Sequence, residues 1–474
     1  MKNNFPQKIG CIHFIGIGGI GMSGIAEILL QLGYPVQGSD LNETRITKRL
    51  EKLGCKIFVG HDKNQVANVD LVVYSSAIDN KNPEILTAKK LSIPIVHRSE
   101  MLGELMRLKK SIAIAGTHGK TTTTSLISKI FEQNNMDPTI INGGIISSLA
   151  SNAKLGQGKW MVVEADESDG SFSRLIPTIA VVTNIDLEHM DYHKNEKNLE
   201  KAFINFISSI PFYGFVSVCI DHPRIQKILS KLSNKKIITY GFSPNADFRA
   251  INVKFKNGKM VFDVSYRNNS TKKVLLIKNI EFSMIGNHNV QNALAAISVS
   301  LELDIPLKVI KKSLKFFSGV QRRFQYIKNF GNTKIFDDYG HHPVEIKAAL
   351  SAAKLIKNDG KILAIFQPHR YSRLKNHFDE FCSSFNDADK VILLNVYSAG
   401  EKKISNFESI NLEEGVRNYG HKNVISLKND KNIFTQIAKD IKNFDIIVFL
   451  GAGNITNIAN TLKENLNLIE GNTR

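Results

Sequence analysis

Residues 111–133 read SIAIAGTHGKTTTTSLISKIFEQ, and this stretch decides the fold. A short apolar run enters a turn of small residues, and a Thr-rich helix start follows at once. In a strand, glycine turn and helix in series, backbone amides and a helix N-terminus converge on anionic oxygens. Gly116, Thr117, His118 and Gly119 form the turn. Lys120 adds a point charge for terminal phosphates, and Thr121 offers a hydroxyl to Mg²⁺. The full phosphate-loop pattern asks for Gly six residues before the lysine; Ile114 stands there, so the loop is a shortened variant. The bland alternative is a tight turn that binds nothing, and Gly-Lys-Thr set between a strand and a helix argues against it.

Working downstream, the run WMVVEAD ends in Glu164 and Asp166, at the strand end where an open parallel sheet presents functional side chains. The next apolar run, TIAVVTN, leads to Asn184, Asp186, Glu188, His189 and Asp191. Glu164 is the expected metal ligand, because an apolar strand runs straight into it. His189 suits Mg²⁺ less, since that ion prefers oxygen. Some of these acids are expected to be no more than a solvated loop.

Working upstream, IHFIGIGGIGMSG (12–24) places Gly16-x-Gly18-x-x-Gly21, with Gly19 between, after another apolar strand. That pattern suggests NAD, with Asp40 nineteen residues beyond Gly21 on the ribose hydroxyls. Its physical content is narrower: a backbone able to approach a pyrophosphate at a helix N-terminus.

The remaining pattern gives three α/β domains in series. Residues 1–108 alternate short apolar strands with helices, which implies a parallel, Rossmann-like sheet. Residues 109–324 hold the phosphate loop, and a small antiparallel addition is marked by VKFKNGKMVFDVSY around Asn257-Gly258. Residues 325–474 return to strand–helix alternation at KIFDDYG, KILAIFQP, KVILLNV and FDIIVFLGAG.

With 474 residues, 42% hydrophobic and 22% charged, the chain is of soluble globular type, and no eighteen-residue apolar run is present. No signal peptide is read at MKNNFPQKIG, and a cytoplasmic protein is expected. Four cysteines lie far apart without C-x-x-C, which suits buried thiols in a reducing compartment. The net charge of +18 is spread thinly among Asn and Ile, with no stacking motif, so it does not point to nucleic acid. A positive field suits an enzyme that collects several phosphates.

GTHGKTTTT, EADESDGSF, VTNIDLEHMD, GNHNVQNALAA, GVQRRF, DDYGHHP and FQPHRYSR occur in this order. The set resembles the Mur ligase family, in the form that adds L-alanine, and the likeness runs from IGIGGIGMSG to FLGAGNI. The family's short phosphate loop also accounts for Ile114. The resemblance implies ATP and Mg²⁺, with UDP-N-acetylmuramic acid and L-alanine as substrates joined through an acyl phosphate. It implies that 116–122, including Thr122, hold the ATP phosphates and that Thr121, Glu164 and His189 engage metal. It puts His288 and Asn289 near phosphate or metal and Asn292 on adenine; a helix capped by Asn289 would also explain that stretch. Arg323 would contact ATP, with Arg322 equally placed. Asp338, Tyr339, His341, Arg370 and Arg373 would serve the amino acid and the acyl phosphate. Lys120, His189, His341 and Arg370 are the expected catalytic residues. The first glycine loop is then free for the diphosphate of the sugar nucleotide, with Asp40, Ser75 and Ser76 as polar partners. Rivals are a ligase that recycles a murein tripeptide, an NAD-dependent oxidoreductase and a phosphate-loop switch. The oligomeric state is open between a monomer and a weak homodimer.

Overall fold

The computed structural model describes residues 5, 9–146, 149, 151–232, 234–267, 273–357, 360–427 and 432–462. Most of the N-terminal stretch read for a signal peptide, and the side chain of Asp191, lie outside the described residues. The strands form three sheets. The first runs β3-β2-β1-β4-β5, from β1 (Ile12–Ile15), β2 (Val36–Asp40), β3 (Lys56–Val59), β4 (Leu71–Tyr74) and β5 (Ile95–His97). Every pairing in it is parallel, as the alternation of apolar runs and helices requires. Its centre carries a buried polar cluster: His13 Nε2 lies 3.0 Å from Glu84 Oε2, and the Ser39 hydroxyl donates to the same oxygen at 2.8 Å. The interior therefore keeps its acid only in hydrogen-bonded form.

The second sheet has ten strands: β6 (Lys110–Ala115), β7 (Thr139–Ile146), β8 (Ser151–Lys154), β9 (Trp160–Glu164), β10 (Ile179–Val182), β11 (Phe215–Cys219), β12 (Ile237–Gly241), β13 (Phe248–Lys256), β14 (Lys259–Arg267) and β15 (Val274–Phe282). Its order, β15-β14-β13-β12-β11-β10-β6-β9-β7-β8, puts the phosphate-loop strand β6 between β10 and β9. The hairpin read around Asn257-Gly258 is present, but it is no separate patch. β13 pairs in parallel with β12, so the hairpin extends the same sheet. The pair β7 and β8 has no counterpart in the sequence reading.

The third sheet runs β16-β17-β21-β18-β19-β20, from β16 (Gln325–Phe330), β17 (Thr333–Asp338), β18 (Ile362–Phe366), β19 (Lys390–Leu393), β20 (Val424–Ser426) and β21 (Ile446–Leu450). It is parallel except for the antiparallel edge pair β16–β17. Buried aliphatic and aromatic clusters cover both of its faces, built on one side around Phe366 and Phe385 and on the other around Ile365 and Phe449. That burial explains why its central strands are nearly continuous apolar runs.

Two compact units hold these sheets. One comprises 1–253, 261–282 and 291–318, and the other 254–260, 283–290 and 319–474. The first two sheets thus share a unit. The cysteines are free; Cys55, Cys219 and Cys382 are buried and Cys11 partly so. Burial pushes the Cys55 and Cys219 thiols up to about 12, which makes them inert as nucleophiles. Among the described residues no helix is long and apolar enough to cross a membrane.

Candidate functional site

The phosphate loop leaves β6 and ends where the helix Lys120–Gln133 begins, with Gly119 as its cap. Both flanking glycines have left-handed backbone, φ +131° at Gly116 and +83° at Gly119. Neighbouring strand ends clamp the loop. His118 N donates to Asn184 Oδ1 at 2.7 Å, Asn184 Nδ2 returns a bond to the His118 carbonyl at 3.0 Å, and Thr183 Oγ1 donates to that carbonyl at 2.6 Å. Asp186 N donates to Thr117 Oγ1 at 2.8 Å. The Asp186 carboxylate lies 3.5 Å from His118 Nε2 and 3.1 Å from His222 Nε2. Asn184 and Asp186, read from sequence as an acidic strand end, hold the loop in shape.

A Cβ on Gly116 would overlap Thr183 Oγ1 and crowd the Thr183 amide and Asn184 carbonyl, both at 3.0 Å. Gly116→Ala is therefore expected to abolish turnover and to cost about 1–3 kcal/mol of stability, since left-handed strain and overpacking act together. Activity and thermal melting of the purified variant check this.

Lys120 is the centre of charge. Its Nζ donates to the carbonyls of Gly116 (2.6 Å) and Thr117 (3.1 Å) and lies 2.8 Å from Glu167 Oε2. Burial penalises the ammonium, but Glu167, Glu164 and Asp166 outweigh it and hold the lysine above its ordinary range. Burial lifts the Glu167 carboxyl to about 7 against the pull of Lys120. For Asp166 burial acts the same way, yet Arg98 and then Lys120 prevail and lower it to about 2. Glu167 was absent from the sequence reading; it lies among four acids in EADESD, and only the fold picks out the one that meets the lysine.

Glu164 stands at the end of β9 and accepts the Gly143 amide at 2.9 Å. Thr121 and Thr122 are buried in the first helical turn. His189 caps a short helix, with its Nε2 3.8 Å from Glu188 Oε2. Among the described residues no group of three or more His, Cys, Asp or Glu side chains could hold a metal ion. The donors that fit Mg²⁺ are the hard oxygens of Thr121 and Glu164. His193, which the sequence left without a role, is buried and lies 3.0 Å from the Glu167 carbonyl.

Asn292 faces the loop: its Oδ1 accepts from Thr123 Oγ1 at 3.3 Å, and a Cβ on Gly119 would overlap it. Asn289 is not a helix cap. It lies inside the helix Asn287–Glu302, and its amide donates back to the Ile285 carbonyl at 2.8 Å.

The first glycine loop joins β1 to the helix Ile20–Leu32, capped by Gly19. Asp40 Oδ2 accepts the Gly18 amide at 2.9 Å, so this acid shapes the loop itself. Ser76 Oγ donates to Asp169 Oδ2 at 3.0 Å, tying the first sheet's loop to the stretch after β9. Gly16 donates its amide to the Ser39 carbonyl at 2.8 Å.

In the second unit, Arg322 and Arg323 sit over the Tyr339 ring, their Cζ atoms 4.6 and 5.4 Å from its centroid. Arg322 Nη2 donates to the carbonyls of Gly451 and Gly453, while Arg323 Nη1 lies 3.6 Å from Glu345 Oε1. Asp338 accepts the amides of Phe324 and Gly340, each at 2.6 Å. Burial lifts its carboxyl to about 6. His342 caps the helix Pro343–Ile356 with Pro343 at its first turn, as the sequence suggested. The adjacent histidines diverge: His341 meets the ring of His369 and His342 that of His377. His341 Nδ1 lies 2.9 Å from the Tyr339 carbonyl and 3.1 Å from Glu345 Oε2, both acceptors. Arg370 caps the helix Tyr371–Asn376. Arg373 Nη1 lies 3.2 Å from His369 Nδ1, and His369 stacks on Tyr397. Burial, then Arg373, His341 and Arg370, press His369 down to about 3, so it stays neutral. His369 was not singled out from the sequence.

Three family models match successive segments of the chain: the Mur ligase catalytic domain over 11–110, the Mur ligase middle domain over 114–300 and the glutamate ligase domain of Mur ligases over 322–453. The chain belongs to the Mur ligase family. Among its curated relatives in that family, the UDP-N-acetylmuramate–L-alanine ligase of Parvibaculum lavamentivorans is 48% identical over 98% of this chain and 95% of that protein. The ligase of the same name from Rhodopseudomonas palustris is 48% identical over 98% and 99%. Among solved Mur ligase structures, the UDP-N-acetylmuramate–alanine ligase of Thermotoga maritima superposes with a TM-score of 0.80 at 28% identity, covering 98% of this chain and all of that one. A murein peptide ligase from Psychrobacter arcticus gives 0.70 at 25% identity over 96% and 98%.

Proposed function

We propose that this chain joins L-alanine to the lactyl carboxylate of UDP-N-acetylmuramic acid at the expense of ATP, a step of peptidoglycan precursor synthesis. The observation that carries the reading is the near-half identity, along almost the whole chain, to ligases of that name. The phosphate loop with its buried lysine supports it chemically. A carboxylate is a poor electrophile, and transfer of the γ-phosphoryl group gives it a leaving group while ADP departs. The amino group of L-alanine then attacks the acyl phosphate, phosphate leaves and the amide C–N bond remains.

Lys120 and the amides of 116–122 offset charge on the phosphates as two anions approach. Thr121 and Glu164, together with His189, would hold Mg²⁺, which would supply further charge neutralisation when bound. Asn289, Asn292 and Arg323 are assigned to ATP, and Gly16, Gly18, Gly19 and Gly21, with Asp40 and Ser76 shaping that region, to the sugar nucleotide. His341 is assigned to take the ammonium proton of L-alanine, which must be neutral to attack. Arg370 and Arg373, the latter oriented by neutral His369, meet carboxylate or acyl phosphate, and Tyr339 lines the same region. The three family segments suggest domains at 1–108, 109–324 and 325–474. We take the enzyme to work in the cytoplasm, where ATP is available.

The test is release of ADP and phosphate by the purified protein. Turnover is expected only with UDP-N-acetylmuramic acid and L-alanine both present. Equal turnover without the sugar nucleotide would sink the reading. A preference for L-alanyl-γ-D-glutamyl-diaminopimelate over L-alanine would install the recycling ligase instead. Glycine and L-serine complete the series, since a small pocket gains little per methyl group.

A further inference from the structure

Arg98 is the first residue of the helix Arg98–Arg107, directly after β5, and its guanidinium reaches two ways. Nη2 lies 2.6 Å from Asp166 Oδ2 and 3.8 Å from Asp169 Oδ2. Nη1 lies 3.2 Å from where a Cβ of Gly21 would stand. Gly21 is the third glycine of the first loop and lies in the opening turn of the helix Ile20–Leu32, where backbone amides lack intrahelical partners. Asp166 belongs to the stretch that also carries Glu164 and the partner of Lys120. Two more residues of the first sheet hold that stretch: His97 Nε2 lies 3.4 Å from Asp169 Oδ2, and Ser76 donates to the same oxygen. One guanidinium thus stands between the first glycine loop and the acids beside the phosphate loop. The bare Cα of Gly21 lets the guanidinium approach this closely; a Cβ there would press on Nη1.

We propose that Arg98 binds an anionic oxygen of the sugar nucleotide at the first glycine loop, and that Asp166 holds it there in the meantime as a stand-in anion. The proposal rests on the reading of that loop as the sugar-nucleotide site. A guanidinium presents five donors in a planar fork that matches carboxylate and phosphate oxygens alike, so the donors that Asp166 engages can pass to an anionic oxygen of the substrate. When the substrate takes the fork, the charge of Asp166 is less neutralised and bears more strongly on Lys120. The sugar nucleotide and ATP are then coupled through two side chains.

The experiment is calorimetric binding of UDP-N-acetylmuramic acid, without ATP, to the full-length wild type, Arg98→Ala, Arg98→Lys, Asp166→Asn and the Ala/Asn double variant, with melting curves as a folding control. Arg98→Ala is expected to weaken binding about ten- to a hundredfold, the range for a charge-assisted hydrogen bond. Lysine should restore part of this, because it keeps the charge and loses the fork. Asp166→Asn should bind as tightly as wild type or more tightly, because a competing anion is gone. UDP-N-acetylglucosamine has the diphosphate and lacks the lactyl carboxylate. An equal loss with it makes the diphosphate the recognised group, and a loss confined to the muramic form makes it the carboxylate. Equal weakening by Arg98→Ala and Asp166→Asn, with no further loss in the double variant, is the signature of a structural ion pair and overturns the proposal. Gly18→Ala, which would push a Cβ into Asp40, separates the two levels. If it leaves binding intact, the loop reading itself fails; if it weakens binding and Arg98→Ala does not, only the role of Arg98 is lost.

Discussion

Lys120→Ala is expected to lower kcat at least about a thousandfold, the scale for losing a preorganised charge in phosphoryl transfer. The variant carries a second, separable effect. Lys120 and Glu167 are partners 2.8 Å apart in a buried setting, and removing one strands the other. Breaking such a pair costs about 3–5 kcal/mol when the remaining charge cannot escape. Glu167 does escape, by taking a proton. Its carboxyl is already lifted from 4.5 to about 7, and loss of the ammonium that lowers it moves it further up. Between those values the folded protein keeps a proton that the unfolded chain has given up, so stability falls as pH rises through that window. Lys120→Ala should therefore melt near wild type at pH 5 and well below it at pH 8. Glu167→Gln in the same background should remove the difference. A Lys120→Ala protein that folds and still ligates would eliminate the ATP-site assignment.

Arg322→Ala is expected to be strongly destabilising, while Arg323→Ala should act on turnover. The two neighbours differ in what they hold. Arg322 has left-handed backbone, φ +58°, which turns its side chain onto the Gly451 and Gly453 carbonyls. Its Nε lies 4.0 Å from Asp337, which is fully buried. Burial raises the Asp337 carboxyl and Arg322 opposes this, so the alanine variant leaves a buried acid without its cation. The cost is about 3–5 kcal/mol, or a fall in Tm of roughly ten degrees. Arg323, a quarter exposed and paired at 3.6 Å, should cost less than about 1 kcal/mol on removal. Its loss should appear instead as a roughly tenfold lower kcat/KM for ATP, the worth of one charged contact. Melting curves beside ATP titrations of both variants decide it.

The contrast between these arginines shows where sequence reading stops. GTHGKTT is legible because a strand, a glycine turn and a helix are local and each has its own residue signature. The parallel cores are legible because doubly covered strands are apolar throughout. Arg322 and Arg323 have the same chemistry at consecutive positions, and only the fold shows that one meets the Gly451 and Gly453 carbonyls and the other Glu345. The acids of EADESD are alike in the same way. β7 escaped because Asn142, Gly143 and Gly144 interrupt its apolar pattern, and that interruption lets the Gly143 amide meet Glu164. The sequence offers Asn289 as a cap, but the helix already begins at Asn287, which puts the cap position at Gly286, three residues earlier.

The tight seating of Gly116 and Gly119 bears on drug resistance. A compound that gripped the backbone amides of this turn would contact positions where any side chain collides, with Thr183 at one glycine and Asn292 at the other. Escape by a single change at either glycine would disable the enzyme along with the inhibitor's foothold. Selection would be driven outward, to the side chains around the turn.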